Sequence, residues 1–166
     1  VVTQAKNDGA ASIASVNPTA QAKPAAKQAI DDALKAKTDA IDANNDLTAE
    51  EKAKAKEDAK AKADAAKQAI DNATTNDAVT QAKNDGAASV ASVNPTAQAK
   101  PAAKQAIDDA LKAKTEAIDA NNDLTAEETA KAKEDAKAKA DAAKQAIDNA
   151  TTNDVVTQAK NDGAAS

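Results

Sequence analysis

The stretch VTQAKNDGAAS at residues 2–12 recurs unchanged at residues 79–89 and again at residues 156–166. Repetition at a fixed spacing, here 77 residues, is typical of tandem arrays whose units stack on their neighbours. Aligning residues 1–89 with 78–166 leaves five mild differences: Val1/Ala78, Ile13/Val90, Asp39/Glu116, Lys52/Thr129 and Ala78/Val155. We therefore predict the last helix of a preceding repeat at residues 1–16, repeat 1 at 17–93, and repeat 2 at 94–166, truncated in its last helix.

The first helix of each repeat is predicted over about residues 24–43 of repeat 1. Pro24 suits a first helical turn, where its missing N–H is not needed. Ile30, Leu34 and Ile41 then fall on one face at helical spacing. The polar residues that follow favour a turn, which ends the helix.

The second helix is predicted from Thr48 to about residue 73. Thr48 and Glu51 have the spacing of a capping box, and Glu50 adds negative charge at the positive end of the helix dipole. The inner stripe is almost entirely methyl groups: Ala55, Ala59, Ala66, Ile70 and Ala73. Such a stripe allows close approach of a neighbouring helix but buries little area.

The third helix is predicted to follow a turn at residues 74–77, with Val79, Ala82, Gly86, Ser89 and Val93 at helical spacing. Gly costs about 1 kcal/mol in a helix interior relative to Ala, so Gly86 indicates close packing. Residues 93–101 carry two prolines and are predicted to form a short, stiff joint, or a kinked helix running into the next repeat.

Short turns make successive helices antiparallel neighbours. The predicted fold class is therefore all-α: tandem three-helix bundles (up-down-up) joined end to end into an elongated rod.

Composition excludes several classes of function. The net charge is −5, all 22 basic residues are Lys, and aromatic residues, His, Cys and Met are absent. The commonest general base and the soft metal ligands are therefore missing. An acidic chain without Arg or aromatic residues does not fit nucleic acid. No apolar run approaches the ~18 residues that span a bilayer.

Three patterns in the sequence are candidates for chemical sites. Oxygen side chains at Asp42, Asn44 and Asp46 are like the start of a calcium loop, but Leu47 stands where such a loop needs Gly. Adjacent carboxylates such as Asp31/Asp32, Glu50/Glu51 and Glu57/Asp58 point in different directions on a helix, so they are read as solvated charges with Lys partners, for example Asp58 with Lys62 and Lys60 with Asp64. Ser and Thr have no His to activate them. We predict no catalytic residue, no cofactor and no metal, and hence no enzyme.

Four segments carry a family resemblance: KQAID (27–31), IDANNDLTAEEK (41–52), IDNATTNDAV (70–79) and AKNDG (82–86). They resemble a repeat of unknown function in Gram-positive wall-anchored surface proteins, as in the Ebh and SasC types of staphylococci and related streptococcal and lactobacillar adhesins. The resemblance implies an extracellular, helical stalk that projects an N-terminal adhesive domain from the cell wall, anchored through regions outside this chain. Neighbouring repeats are the implied partners, and the chain is expected to be a monomer.

A repeated module that binds a host serum or matrix protein is the alternative function, because repetition raises avidity. Interfaces usually use exposed Tyr, Trp or Arg, which this chain lacks, so the spacer is favoured. An intracellular, stress-protective protein is the third alternative. The helix caps and short turns argue against it, because a protein of that kind that stays unfolded until needed would not require them.

Overall fold

The computed structural model describes residues 1–16 and 18–165. Within them the chain forms helices and no strand, which confirms the all-α class. The helices are α1 Val2–Ala14, α2 Ala22–Ala43, α3 Ala49–Asn72, α4 Asn76–Ala91, α5 Ala99–Asp119, α6 Ala126–Asn149 and α7 Asn153–Ala165. Asn17 and Ser166, the predicted start of repeat 1 and end of repeat 2, lie outside the described residues.

Two three-helix bundles account for the strong helix contacts. Helices α2, α3 and α4 pack against one another as bundle 1, and α5, α6 and α7 do so as bundle 2. Helix α1 buries none of its side chains, and its Val2 and Ile13 are exposed. Its sequence is that of a third helix, so we propose that it belongs to the bundle of a preceding repeat.

The capping box at Thr48 forms as predicted and starts α3. The Glu51 backbone N–H donates to the Thr48 hydroxyl oxygen at 3.4 Å, and the Thr48 N–H donates to Glu51 Oε2 at 3.0 Å. Thr125 and Glu128 form the same pair of bonds at the start of α6. Each reciprocal pair satisfies two backbone donors that a helix start leaves open, which fixes where the second helix begins.

Each core is a layer of Ile and Val over alanine. In bundle 1, fully buried Ile30, Ile70 and Val90 pack among the methyl groups of α3. Ala63 joins the predicted stripe on α3. Bundle 2 has the equivalent isoleucines, Ile107 and Ile147, together with Val156, the counterpart of Val79. Since alanine side chains are short, the helices must lie close together for these cores to exclude water.

The close approach is tightest at Gly86, as its place on the apolar face predicted. A Cβ there would overlap the Ala66 Cβ and would lie 3.0 Å from Ile30 Cδ1. Gly163 meets Ala143 and Ile107 in the same way in bundle 2. The glycine therefore lets the third helix touch the alanine stripe of the second, although its helix propensity is poor.

The third helix is shorter than predicted. It ends at Ala91 rather than Val93, and residues 92–98 are not helical. Pro95 has no N–H to bond the Ala91 carbonyl, and its ring disfavours helical angles at Asn94, so the helix cannot run on into α5. The kinked continuous helix was therefore wrong. Val93 leaves the helix and packs in a separate cluster described below.

The same three inter-helix ion pairs form within each bundle, and they were not predicted. Lys27–Asp71, Lys67–Asp31 and Lys56–Asp42 join α2 to α3, and the equivalent residues of bundle 2 join α5 to α6: Lys104–Asp148, Lys144–Asp108 and Lys133–Asp119. Of the predicted pairs within α3, Lys60–Asp64 forms at 2.6 Å. Lys62, predicted to pair with Asp58, donates to Ser92 Oγ at 3.0 Å.

Candidate functional site: the joint between the bundles

The joint between the bundles holds several polar contacts between residues that lie far apart in sequence. Residues 45–51 of bundle 1, here called the glutamate end, include part of the α2–α3 turn and the start of α3. They meet the starts of α5 and α7 and the end of α6 in bundle 2. We call this side the receiving face and define it by Gln98, Ala99, Lys100, Thr151 and Asn153. The bundles thus meet end to end.

Glu51 serves two helices with one carboxylate. Its Oε2 completes the capping box of α3, while its Oε1 accepts from the backbone N–H groups of Gln98 at 2.9 Å and Ala99 at 3.0 Å. Gln98 is the N-cap of α5 and makes no side-chain cap bond of its own. The missing cap of α5 is therefore supplied by the other bundle, at the helix end where negative charge is most favourable.

The protonation of Glu51 reflects these contacts. Burial in the joint acts to raise the pKa of Glu51, but the N–H donors of Thr48, Ala99 and Gln98 outweigh it and hold this pKa below its ordinary 4.5. Hydrogen bonds to a carboxylate favour its charged form in this way. Glu51 is thus an anion across the neutral pH range.

Glu50 does for α7 what Glu51 does for α5. Its Oε2 accepts from the backbone N–H of Asn153, the first residue of α7, at 3.0 Å, and this bond lowers the pKa of Glu50. Beside it the Ala49 N–H donates to the Thr151 carbonyl oxygen at 2.8 Å. Two adjacent glutamates therefore hold the starts of two helices in the next bundle.

Lys100 is the residue of bundle 2 whose side chain binds bundle 1 across the joint. Its Nζ donates to the Asn45 carbonyl oxygen of bundle 1 at 2.9 Å and to the Asp148 carbonyl oxygen at the end of α6 at 2.7 Å. The residue is only 5% exposed, which is unusual for a lysine. A cation at the carbonyl end of α6 also offsets the negative end of its dipole.

An apolar cluster seals the same end of bundle 1. Val93 packs with buried Ile41 and Leu47, and Ala97 lies against the cluster. Residues 92–98 therefore cover the end of the bundle from which they emerge. Leu47, which lies against both the covering segment and bundle 2, is 3% exposed, whereas the equivalent Leu124 of bundle 2 is half-buried.

The equivalent residues outside the joint show what contact between bundles adds. Glu128, the equivalent of Glu51, accepts from the Thr125 N–H, and Lys23, the equivalent of Lys100, donates to the Asp71 carbonyl oxygen at 2.6 Å. Both of these contacts lie within one bundle. Thr125 is exposed, whereas Thr48 is fully buried.

The calcium-like pattern is occupied by other contacts. Asp42 forms an ion pair with Lys56, and the Asn44 side-chain oxygen accepts from the Asp46 N–H at 3.0 Å, as in a turn. Asp31, from the first carboxylate pair, faces Lys67. Among residues 1–16 and 18–165 no group of three acidic side chains is placed to hold a metal.

Sequence reasoning identified Glu50 and Glu51 as part of a helix start but missed their role in the joint, and it missed Lys100 altogether. The backbone N–H groups that donate to the two glutamates, and the backbone carbonyl oxygens that accept from Lys100, have no side-chain signature. One usable signal was present, since Gln98 stands where a Ser, Thr, Asp or Asn cap is expected.

None of the described helices is both long enough and apolar enough to cross a bilayer.

Comparison with known proteins gives a consistent result. Residues 22–98 and 99–166 each match the family described as Domain of Unknown Function (DUF1542). The chain is 33% identical over 162 residues to the extracellular matrix-binding protein ebh of Staphylococcus aureus strain MRSA252, covering 98% of this chain and 2% of that protein. It is 33% identical over 159 residues to the extracellular matrix-binding protein EbhA of strain Mu3, covering 96% of this chain and 2% of that relative. No solved structure matches.

Proposed function

The chain belongs to the DUF1542 family, and we propose that it is a structural spacer in the stalk of a bacterial surface adhesin. In this proposal the repeats stand outside the cell, attached to the wall through regions beyond this chain, and carry an N-terminal adhesive domain away from the surface. Because the chain covers only 2% of the length of its relative, the activities of the whole relative are not assigned to this chain.

The observation that carries the proposal is the double use of Glu51. A flexible tether needs no contact between its units, yet this carboxylate completes helix starts in both bundles. Glu50 adds a contact to the start of α7, and Lys100 adds one to the α2–α3 turn. Contacts between several elements of the two ends favour a fixed orientation of stacked units, which a rod requires.

The surface also suits a spacer. Exposed Lys, Asp and Glu cover the bundles, and the chain has no Tyr, Trp or Arg to anchor a partner. We propose no catalytic role, because no His or Cys is present, Glu50 and Glu51 accept from backbone N–H groups, and Asp31 and Asp42 pair with lysines. No cofactor or metal is part of the proposal.

Rigidity across the joint can be measured directly. The chain has no cysteine, so Lys35→Cys and Lys112→Cys place one spin label on each bundle at exposed sites. Pulsed electron–electron double resonance should give one narrow distance distribution between the labels. Adding Glu50→Gln and Glu51→Gln to the labelled chain should broaden this distribution. A broad distribution in the unsubstituted chain would remove the main support for the spacer.

A host-matrix-binding module is the second candidate, favoured by the names of the relatives, which are extracellular matrix-binding proteins. Host plasma and fibronectin passed over the immobilised chain separate the two candidates. Saturable retention with defined stoichiometry per repeat would favour binding, whereas no retention above that of an unrelated helical protein would favour the spacer.

A further inference from the structure

The third helix of each bundle contains an aspartate directly before the glycine of the close helix contact. Asp85 precedes Gly86 in α4, and Asp162 precedes Gly163 in α7. The glycine cannot become a larger residue without moving the helices, because a Cβ at Gly86 would overlap the Ala66 Cβ. Close packing of the third helix therefore retains an Asp-Gly pair at this position in both bundles.

An Asp-Gly pair can react within itself. The Gly86 nitrogen attacks the carboxyl carbon of Asp85, a C–N bond forms, and the carboxyl OH leaves as water with the amide proton, which gives a five-membered succinimide. Water then adds to one of the two ring carbonyl groups and breaks its bond to nitrogen. Cleavage at the side-chain carbonyl restores aspartate, and cleavage at the main-chain carbonyl gives isoaspartate. Glycine favours the attack because it has no side chain to hinder its nitrogen.

The folded bundle holds this pair in an unreactive geometry. Ring closure requires the Gly86 nitrogen to eclipse the Asp85 Cβ about the Asp85 Cα–C bond, which the helical ψ of about −42° does not allow. Within α4 the Gly86 N–H also donates to the main chain one turn earlier. The exposed Asp85 carboxylate accepts from Gln81 Nε2 at 2.8 and 2.9 Å, which directs it toward the preceding turn. The reaction therefore needs α4 to unwind at Gly86, and since Gly86 is buried against Ala66, the bundle must open first.

We propose that Asp85–Gly86, and Asp162–Gly163 in bundle 2, are modification sites that form isoaspartate when their bundle opens. Isoaspartate adds one main-chain atom directly before the glycine. In bundle 1 this atom breaks the hydrogen-bond register of α4 and moves Gly86 away from the Ala66 methyl group. A repeat that has opened thereby carries a permanent covalent change and repacks less stably. The inference goes beyond the spacer and does not depend on how the bundles are oriented.

The chain carries its own reference site for this reaction. The sequence KNDGAAS occurs at residues 6–12, 83–89 and 160–166, so the three Asp-Gly pairs have the same neighbours in sequence. In α1 a Cβ at Gly9 would meet nothing within 4 Å, and the helix buries none of its side chains. An unpacked helix of 13 residues is marginal in water. Asp8 of this chain therefore reports the reaction of a pair without the protection of packing.

Prolonged incubation of the chain at neutral pH, in buffer and in unfolding guanidinium chloride, tests the proposal. Isoaspartate is detected by enzymatic methyl transfer from S-adenosylmethionine and is located by tandem mass spectrometry of tryptic peptides, since the peptides that contain Asp8 and Asp85 differ at Ile13 and Val90. In guanidinium chloride the two sites should react at the same rate. In buffer Asp85 should react at least about tenfold more slowly than Asp8, because the reaction follows the population of the opened form. Ile30→Ala removes a fully buried core side chain and should narrow this difference.

The effect on repacking is measured in a chain with a single reactive pair. Asp8→Glu with Asp162→Glu leaves Asp85–Gly86 as the one Asp-Gly pair of the sequence, because glutamate would have to close a six-membered ring. After incubation in guanidinium chloride, the isoaspartate form should refold with a lower urea midpoint than the unmodified form.

Three results would overturn the proposal. Equal rates at Asp8 and Asp85 in buffer would show that packing does not protect the pair. No isoaspartate at Asp85 in guanidinium chloride would show that the reaction does not occur in the opened chain. An isoaspartate form that refolds with the urea midpoint of the unmodified form would show that the modification does not disturb repacking.

Discussion

The Ala99 N–H at the start of α5 donates to the Glu51 carboxylate at the start of α3, at 3.0 Å, although the two residues belong to different bundles. The second oxygen of the same carboxylate accepts from Thr48 within its own bundle. A local helix-start motif is thereby also a contact between repeats. A change in the charge or position of Glu51 should therefore weaken the helix starts of both α3 and α5.

Gly86→Ala should destabilise bundle 1 even though alanine favours helix. The new methyl group would overlap the Ala66 Cβ and press on Ile30. Overpacking of this kind costs about 1–3 kcal/mol, which exceeds the helix-propensity gain. Urea denaturation followed by circular dichroism measures the change. Gly9→Ala is the matched control, because its Cβ meets nothing within 4 Å, and it should raise helicity without lowering the midpoint. A Gly86→Ala chain as stable as the unsubstituted one would show that the helices are not closely packed.

Thr48→Ala should cost more than Thr125→Ala. Both residues cap a helix through the same two bonds, and loss of such a cap costs about 1 kcal/mol. Thr48 is fully buried in the joint and Thr125 is exposed, so the first change also removes buried contacts. Thermal or urea unfolding of the two single variants compares them directly. Equal losses would indicate that Thr48 gains nothing from the neighbouring bundle.

Lys100→Met should loosen the joint while leaving both bundles folded. The substitution keeps the apolar stem but removes the hydrogen bonds to the Asn45 and Asp148 carbonyl oxygens. The spin-label distance distribution should broaden at unchanged helicity. Lys23→Met, which removes a bond within bundle 1 alone, should leave the distribution narrow. The same broadening in both variants would argue against a specific role for Lys100.

Acid should release the joint. The pKa values of Glu50 and Glu51 lie below their ordinary 4.5 in the folded chain, because backbone N–H groups bind the charged carboxylates. A lowered folded pKa contributes stability that is present above pH ~4.5 and is lost as pH falls through the folded value. The distance distribution should therefore broaden below pH ~4.5. The Glu50→Gln, Glu51→Gln chain should already be broad at pH 7 and should change little with acid. A distribution that stays narrow after both carboxylates have become protonated, as followed by their carboxyl ¹³C shifts, would contradict the role of the carboxylates.

Local patterns made much of the fold predictable. The Thr48–Glu51 spacing predicted the start of α3, and a glycine on an apolar face predicted the contact at Gly86. Both follow from interactions within a few residues or from a single missing Cβ. The end of α4 was misplaced because the apolar spacing continues to Val93, whereas Pro95 ends the helix earlier.

The joint was beyond local patterns. Glu51 and Gln98 are 47 residues apart, and the groups that Glu51 meets are backbone N–H groups, which every residue except proline carries. Lys100 resembles the other lysines in sequence and is distinguished only by its burial. Composition predicted charged, solvated helices, but many lysines are half-buried and several pair with aspartates of a neighbouring helix.

The central claim is that successive repeats stack in a fixed orientation, and small-angle X-ray scattering tests it most directly. The chain should be compared, under dilute conditions, with a longer chain carrying two further copies of the repeat. Helix α3 has 24 residues and is therefore about 36 Å long. The account predicts that the maximum dimension grows linearly, by about 4 nm for each added repeat. Growth as roughly the square root of the repeat number would show flexible joints and would contradict it.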